Sequence, residues 1–194
     1  MLRIFSAVTI CTILATQMPS KALSAGLADR LFEFFQALQV GDVLYTTKAS
    51  YQQSNSRVDC VMRTKILYEN GVVRMCLKSE LNTQRLQPRF MKVTYRRPSK
   101  GDVVTERWSN GQYTLTIYYV GQACVVYSVK ELKPMTRGKK ACGIWRKNIN
   151  STVPDDDECQ RNIPQACGSE WRTISSRDKC IRVPTPECKY YKDT

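Results

Sequence analysis

Hydrophobic positions along the chain follow two periods in turn. Leu31, Phe34, Phe35 and Leu38 recur at helical spacing, so residues 28–38 read as a short amphipathic helix. Asp29 lies near its start, where the helix dipole favours an anion. From residue 42 the period becomes two. Eight segments then read as strands: 42–50, 60–69, 72–81, 90–97, 102–109, 113–120, 123–130 and 141–146. Asn70-Gly71 and Asn110-Gly111 mark tight hairpins, because both central residues of a type I′ turn need positive φ. Successive connections are short, which predicts an up-and-down antiparallel meander. Eight such strands with one apolar face close into a barrel that can hold one small ligand. Residues 155–166 read as a second helix, with Asp155, Asp156, Asp157 and Glu158 at its N-terminus and Pro164 ending it.

A two-residue turn fixes register, and register fixes faces. Uninterrupted pairing from Asn70-Gly71 sets Arg63 opposite Lys78. Met62, Thr64, Ile66, Tyr68, Val73, Met75 and Leu77 then face the barrel interior. Arg63, Lys65, Arg74 and Lys78 form a cationic outer stripe, continued by Lys92 and Arg96. The same register turns Cys60 inward and Cys76 outward, so these two do not bond each other without a bulge. Pairing from Asn110-Gly111 sets Trp108 opposite Tyr113. Val104, Glu106, Trp108, Tyr113, Leu115, Ile117 and Tyr119 share the inner face. One carboxylate therefore falls on an apolar surface, where burial is costly unless it is paired. Three readings remain open: Glu106 pairs with an internal Arg or Lys, a register shift carries it to solvent, or it receives a cationic ligand. Trp108 and the tyrosines would offer π faces to an ammonium group.

Composition narrows the chemistry. The 194 residues include nine Cys and no His, with 30 Lys and Arg against 17 Asp and Glu. Without His there is no Ser/His/Asp or Cys/His nucleophile and no His-liganded zinc. No catalytic constellation is present, so an enzyme is not expected. Residues 1–25 read as a secretory signal peptide: Arg3, then an apolar run from Ile4 to Ala15, then small residues, with cleavage after Ala22 or Ala25. Its removal takes away Arg3, Lys21 and Cys11, leaving a formal charge of +11 and eight Cys. In an oxidising compartment an even set of eight implies four disulfides. The spacing contains no C-x-x-C pair, so neither metal nor cofactor is expected. No later segment is apolar enough to span a bilayer. Asn150-Ser151-Thr152 is a glycosylation sequon. The expected organisation is a signal peptide (1–25), a barrel domain (26–180) and a Cys-containing tail (181–194).

The block from Asn110 to Cys180 resembles the tick salivary lipocalins, often called the histamine-binding family. The resemblance rests on Asn110-Gly111-Gln112-Tyr113-Thr114-Leu115, then Cys124-Val125-Val126 and Cys142-Gly143-Ile144-Trp145. It continues through Val153-Pro154, Cys159, Cys167-Gly168 and Ile174 to Cys180. Glu33-Phe34-Phe35-Gln36 resembles the family's helix motif, with Phe35 in place of its Trp. The resemblance implies an eight-stranded calycin barrel with a helix beside it. It implies disulfides Cys60–Cys180, Cys124–Cys159 and Cys142–Cys167, leaving Cys76 for Cys188. It also implies a protein that sequesters a small host mediator and so blunts host defence; the signal peptide makes it secreted, and eight paired cysteines leave none for an intermolecular bond, so a monomer is expected. In the amine reading, Glu106 holds histamine or serotonin, with Phe35, Tyr45, Trp108, Tyr113, Leu115 and Tyr119 as walls. In a second, a fatty-acid-derived anion meets an inward Arg or Lys. In a third, the basic exterior binds an anionic glycan or a host protein. Nucleic acid is not an expected partner.

Overall fold

The structure, a computed structural model, describes residues 26–50, 58–81, 89–98, 101, 103–108, 111–130, 141–149 and 158–180. The expected signal peptide, Asn150, Cys188 and the tail from residue 181 lie outside the described residues.

Helix α1 (Leu27–Ala37) precedes eight barrel strands: β1 (Val43–Ala49), β2 (Val58–Glu69), β3 (Val72–Leu81), β4 (Arg89–Arg96), β5 (Val103–Trp108), β6 (Gly111–Val120), β7 (Cys124–Lys130) and β8 (Ala141–Arg146). Each pairs antiparallel with its neighbour, and β1 bonds both β2 and β8, which closes the barrel. The Asn70-Gly71 turn has φ of 49° and 70°, as a type I′ hairpin requires. The second hairpin closes one residue earlier than expected, with Trp108 opposite Gly111 and Glu106 opposite Tyr113. That two-residue change of partner leaves Val104, Glu106, Leu115 and Ile117 on the expected inner face, all buried.

Two bulges overturn the expected face of β2. Pairing with β3 shifts between Lys65 and Leu67, and again between Asp59 and Met62. The twelve residues of β2 therefore match the ten of β3. Each extra residue flips the side chains that follow it to the other face. Arg63 now stands opposite Leu77, and Lys65 opposite Met75. Both cations point into the barrel, at 6% and 5% exposure, rather than forming part of the outer stripe. Met62 turns outward and packs with Cys60 and Cys180, so Cys60 also lies on the outer side. A third bulge, between Ile117 and Tyr119 in β6, does the same there. Val120 joins the inner core, while Tyr119 packs outside against Cys124, Cys159 and Trp171.

Helix α1 seals one end of the barrel because its apolar stripe, Leu31, Phe32, Phe34, Phe35 and Leu38, belongs to the same core as the inner strand faces. The helix has no basic residue in its last turn. Lys65 from β2 supplies the missing charge. Its ammonium donates to the carbonyl of Phe35 at 2.9 Å, to that of Gln36 at 3.3 Å and to that of Leu38. Three donors thus meet three carbonyls at the negative end of the helix dipole, of which that of Phe35 also accepts from the Leu38 N–H at 3.3 Å. Arg30 adds a bond from the helix to the Val120 carbonyl at 2.7 Å.

The chain after β8 is held by covalent bonds. Cys60–Cys180, Cys124–Cys159 and Cys142–Cys167 pair as the family resemblance implies. Cys76 is also disulfide-bonded, and its expected partner, Cys188, lies outside the described residues. The second helix ends earlier than expected: among the described residues α2 covers Glu158–Arg161, Gln165–Cys167 forms a separate 3-10 turn, and the expected start at 155–157 lies outside the described residues. A two-residue strand, β9 (Arg172–Thr173), adds to β1, and α3 (Arg177–Cys180) brings Cys180 to β2. No helix of the described residues is long and apolar enough to cross a membrane.

Lys65→Met should strip the charged donor from the end of α1, leaving the Gln36 and Leu38 carbonyls without it, at a cost of about 1–3 kcal/mol. Urea denaturation should show that loss, and amide exchange should quicken in residues 27–38 before it does in the strands.

Candidate functional site

Glu106 lies on β5 facing inward, 2% exposed. Of the three readings left open by the sequence, internal pairing is the one observed. The Tyr95 hydroxyl donates to Glu106 Oε1 at 3.1 Å, and Arg63 Nη2 lies 3.7 Å from the same oxygen. Arg63 Nε donates to the Tyr95 oxygen at 2.9 Å and Nη1 donates to Thr46 Oγ1 at 2.7 Å. The result is a polar layer running through β1, β2, β4 and β5 across an otherwise apolar interior. The guanidinium also lies over the Trp145 ring, 4.9 Å from its centroid.

Electrostatics follow from this packing. Burial works against the Arg63 charge, but the oxygens of Tyr95, Tyr127 and Glu106 outweigh it and hold its pKa above the usual value. Burial pushes the Tyr95 hydroxyl well above the ordinary tyrosine value, with Arg63 opposing in part. Tyr95 therefore stays a neutral donor and acceptor, relaying between the two charges. Burial lowers the pKa of Lys65. The inward-facing described residues thus carry two cations and one anion.

Aromatic rings surround the layer. Trp145 packs on Tyr127 at 4.3 Å, Tyr95 at 5.7 Å and Phe35 at 6.0 Å between centroids. Phe35 also meets Tyr95 at 5.1 Å, so α1 closes the barrel directly beneath the charged pair. On the other side lie Val61, Met91, Trp108 and Val129, which pack on the core while remaining partly exposed. Tyr113 stacks on Trp108 at 4.7 Å. These side chains line the end away from α1; residues 82–88 and 131–140 lie outside the described residues. The indole N–H groups of Trp108 and Trp145 are buried without a hydrogen-bond partner.

Of the residues expected to form the site, Glu106, Trp108, Tyr113, Leu115 and Phe35 come together around the interior. Phe35 serves as floor rather than wall. Tyr45 and Tyr119 do not join them: Tyr45 packs in the outer cluster around Cys60 and Met62, and Tyr119 lies outside beyond the β6 bulge. The sequence reading missed Arg63, Lys65, Tyr95, Thr46 and Trp145. Its one available signal was Ile66-Leu67-Tyr68, a run that breaks strict alternation where the bulge falls. Among the described residues no His, Cys, Asp and Glu cluster could hold a metal ion.

Solved structures with the same arrangement include Japanin from Rhipicephalus appendiculatus bound to cholesterol, at 12% identity and a TM-score of 0.51. The match covers 72% of this chain and 95% of that one. Apocrustacyanin C2 matches at 9% identity and 0.53, covering 77% and 86%. Lobster apocrustacyanin A1 matches at 10% and 0.51, with the same coverage. The fold is a lipocalin-type barrel. No protein-family model and no curated protein sequence matches the chain, so the comparisons carry the fold and not a subfamily.

Breaking the charged pair from one side should be costly in this lipocalin-type core. Arg63→Met should destabilise the protein by about 3–5 kcal/mol, because Glu106 is left uncompensated. Arg63→Met combined with Glu106→Leu should recover most of that loss in a urea titration, giving a coupling far outside additivity.

Proposed function

We propose that the barrel holds one small, mainly apolar molecule carrying a hydrogen-bond acceptor, of the fatty-acid-derived anion class. The observation that carries this reading is the state of Glu106. Its charge is already met by Arg63, while inward donors outnumber inward acceptors. Arg63 keeps N–H groups beyond those it gives Tyr95 and Thr46, and the two indole N–H groups are unbonded. Such donors suit a carboxylate, carbonyl or hydroxyl oxygen. An ammonium ligand at Glu106 would instead sit near the guanidinium. Two unit charges about 5 Å apart at an effective dielectric of about 20 repel by roughly 3 kcal/mol. That disfavours the amine reading by about a hundredfold relative to an isolated carboxylate.

The apolar lining supplies the bulk of the affinity, at about 25 cal/mol per Å² removed from water. Japanin, which shares the fold, is solved with cholesterol, a largely apolar guest, and this supports the ligand class. Three described disulfides fit an exported protein. With the resemblance to tick salivary lipocalins, the biological reading is a secreted binder that removes a host lipid mediator from solution.

Quenching of the buried tryptophans on titration with arachidonate tests this. Saturable binding should weaken at least tenfold in the double variant Arg63→Gln/Glu106→Gln, which removes the cation without stranding a charge. Tight histamine binding abolished by Glu106→Gln, with no response to arachidonate, would overturn the lipid reading in favour of the amine one.

A further inference from the structure

The outer face of β3, β4 and β5 carries cations in a repeated arrangement that the barrel core does not require. Pairing sets Arg74, Thr94 and Arg107 in one row across the three strands. Lys92 and Arg96 flank Thr94 along β4, on the same outward side. With strands about 4.8 Å apart and about 3.4 Å per residue, Arg74 and Arg107 stand about 10 Å apart, and Lys92 and Arg96 about 13 Å. Four positive charges thus surround one threonine. Arg96 and Arg107 are exposed, and Arg107 Nε is oriented by the Gln112 side chain at 3.1 Å. Arg74 and Lys92 are half-buried and make local contacts.

Carboxylates are kept away from the Arg74–Thr94–Arg107 row, with Glu80, the one acid of β3, six positions beyond Arg74. Residues 72–78 and 89–96 contain none, and Glu106, the one acid of β5, points inward. Glu69 stands at the border, opposite Val72. Large apolar anchors are nearly missing too: among the described residues the exposed large hydrophobics are Val40 and Val103, and only Val103 touches this face, at its edge. Protein interfaces draw their energy from buried aromatic and aliphatic anchors. A hydrophilic polyanion needs none.

We infer that this face binds a linear sulfated glycan, with Arg96 and Arg107 as the principal contacts and Arg74 and Lys92 supplying the flanking field. The site is separate from the barrel interior and works whether or not the barrel is filled. A sulfated chain would tether the protein near cell surfaces and matrix. Contact with an exposed charge lattice is screened by salt, so binding falls steeply as ionic strength rises.

Affinity for a heparin-derived octasaccharide, measured by calorimetry at low and physiological salt, tests the inference. Arg96→Glu/Arg107→Glu should weaken binding at least tenfold while leaving the melting temperature and arachidonate titration unchanged. Lys147→Glu, in the groove beside α1, should change it by less than twofold. Equal losses in the two variants would show a net-charge effect and overturn the site. Retention of unsulfated hyaluronan or of an acidic peptide as strong as that of the octasaccharide would overturn the glycan assignment.

Discussion

A carboxylate inside an apolar barrel has to be met by a positive group, and in this protein the partner arrives from a strand whose regular register would have pointed it at solvent. Arg63 reaches Glu106 only because β2 carries one more residue than its neighbour between Lys65 and Leu67. The bulge costs ladder pairing, and it turns two cations inward together. Each then finds work: Arg63 satisfies Glu106, Tyr95 and Thr46, and Lys65 satisfies the end of α1. A buried ion pair adds little stability over a hydrophobic isostere, though losing one member is severe. In the proposed reading its larger effect is on specificity, since it sets which charge a guest can bring.

The same shift links the floor of the barrel to the site. Lys65 fixes the last turn of α1, which fixes Phe35 against Tyr95 and Trp145. Those rings in turn bound the layer in which Arg63 lies. A change at the helix is therefore felt at the charged pair through direct packing, without any motion being required. The interior and exterior cations have separate roles. Inside, they are fixed by hydrogen bonds, and in the proposed reading Arg63 alone offers spare donors to a guest. Outside, Arg74, Lys92, Arg96 and Arg107 form a surface whose reach is set by salt.

Much of this architecture was legible in the sequence. The eight strands, the sealing helix and the Asn70-Gly71 turn follow from period and turn chemistry, and the three described disulfides pair as the family resemblance implies. Glu106 was legible as an inward acid because two residues of slip in the second hairpin preserve faces. Its partner was not. A period-two reading carries one bulge as an error into every residue beyond it, which is why Arg63 and Lys65 were assigned to the exterior and Met62 to the core. Both misplaced sets follow runs that break alternation, Ile66-Leu67-Tyr68 in β2 and Ile117-Tyr118-Tyr119-Val120 in β6. In each, consecutive apolar residues supply side chains to both faces, and a bulge is the geometry that accommodates them. The early end of α2 has another cause: the disulfides to Cys159 and Cys167 and the intervening Pro164 set the segment after Arg161 more strongly than helical periodicity does.

The position of the Arg63 guanidinium is the most direct test of this account. Side-chain nitrogen NMR of uniformly labelled protein reads it without altering the molecule. A buried Nε–H bonded to Tyr95 should give a sharp resonance, persist to alkaline pH through slow exchange with water, and show contacts to the Tyr95 and Trp145 rings. An Arg63 Nε–H that exchanges as fast as those of exposed arginines, with no ring contacts, would place it outside the barrel and contradict the pairing on which the lipid reading rests.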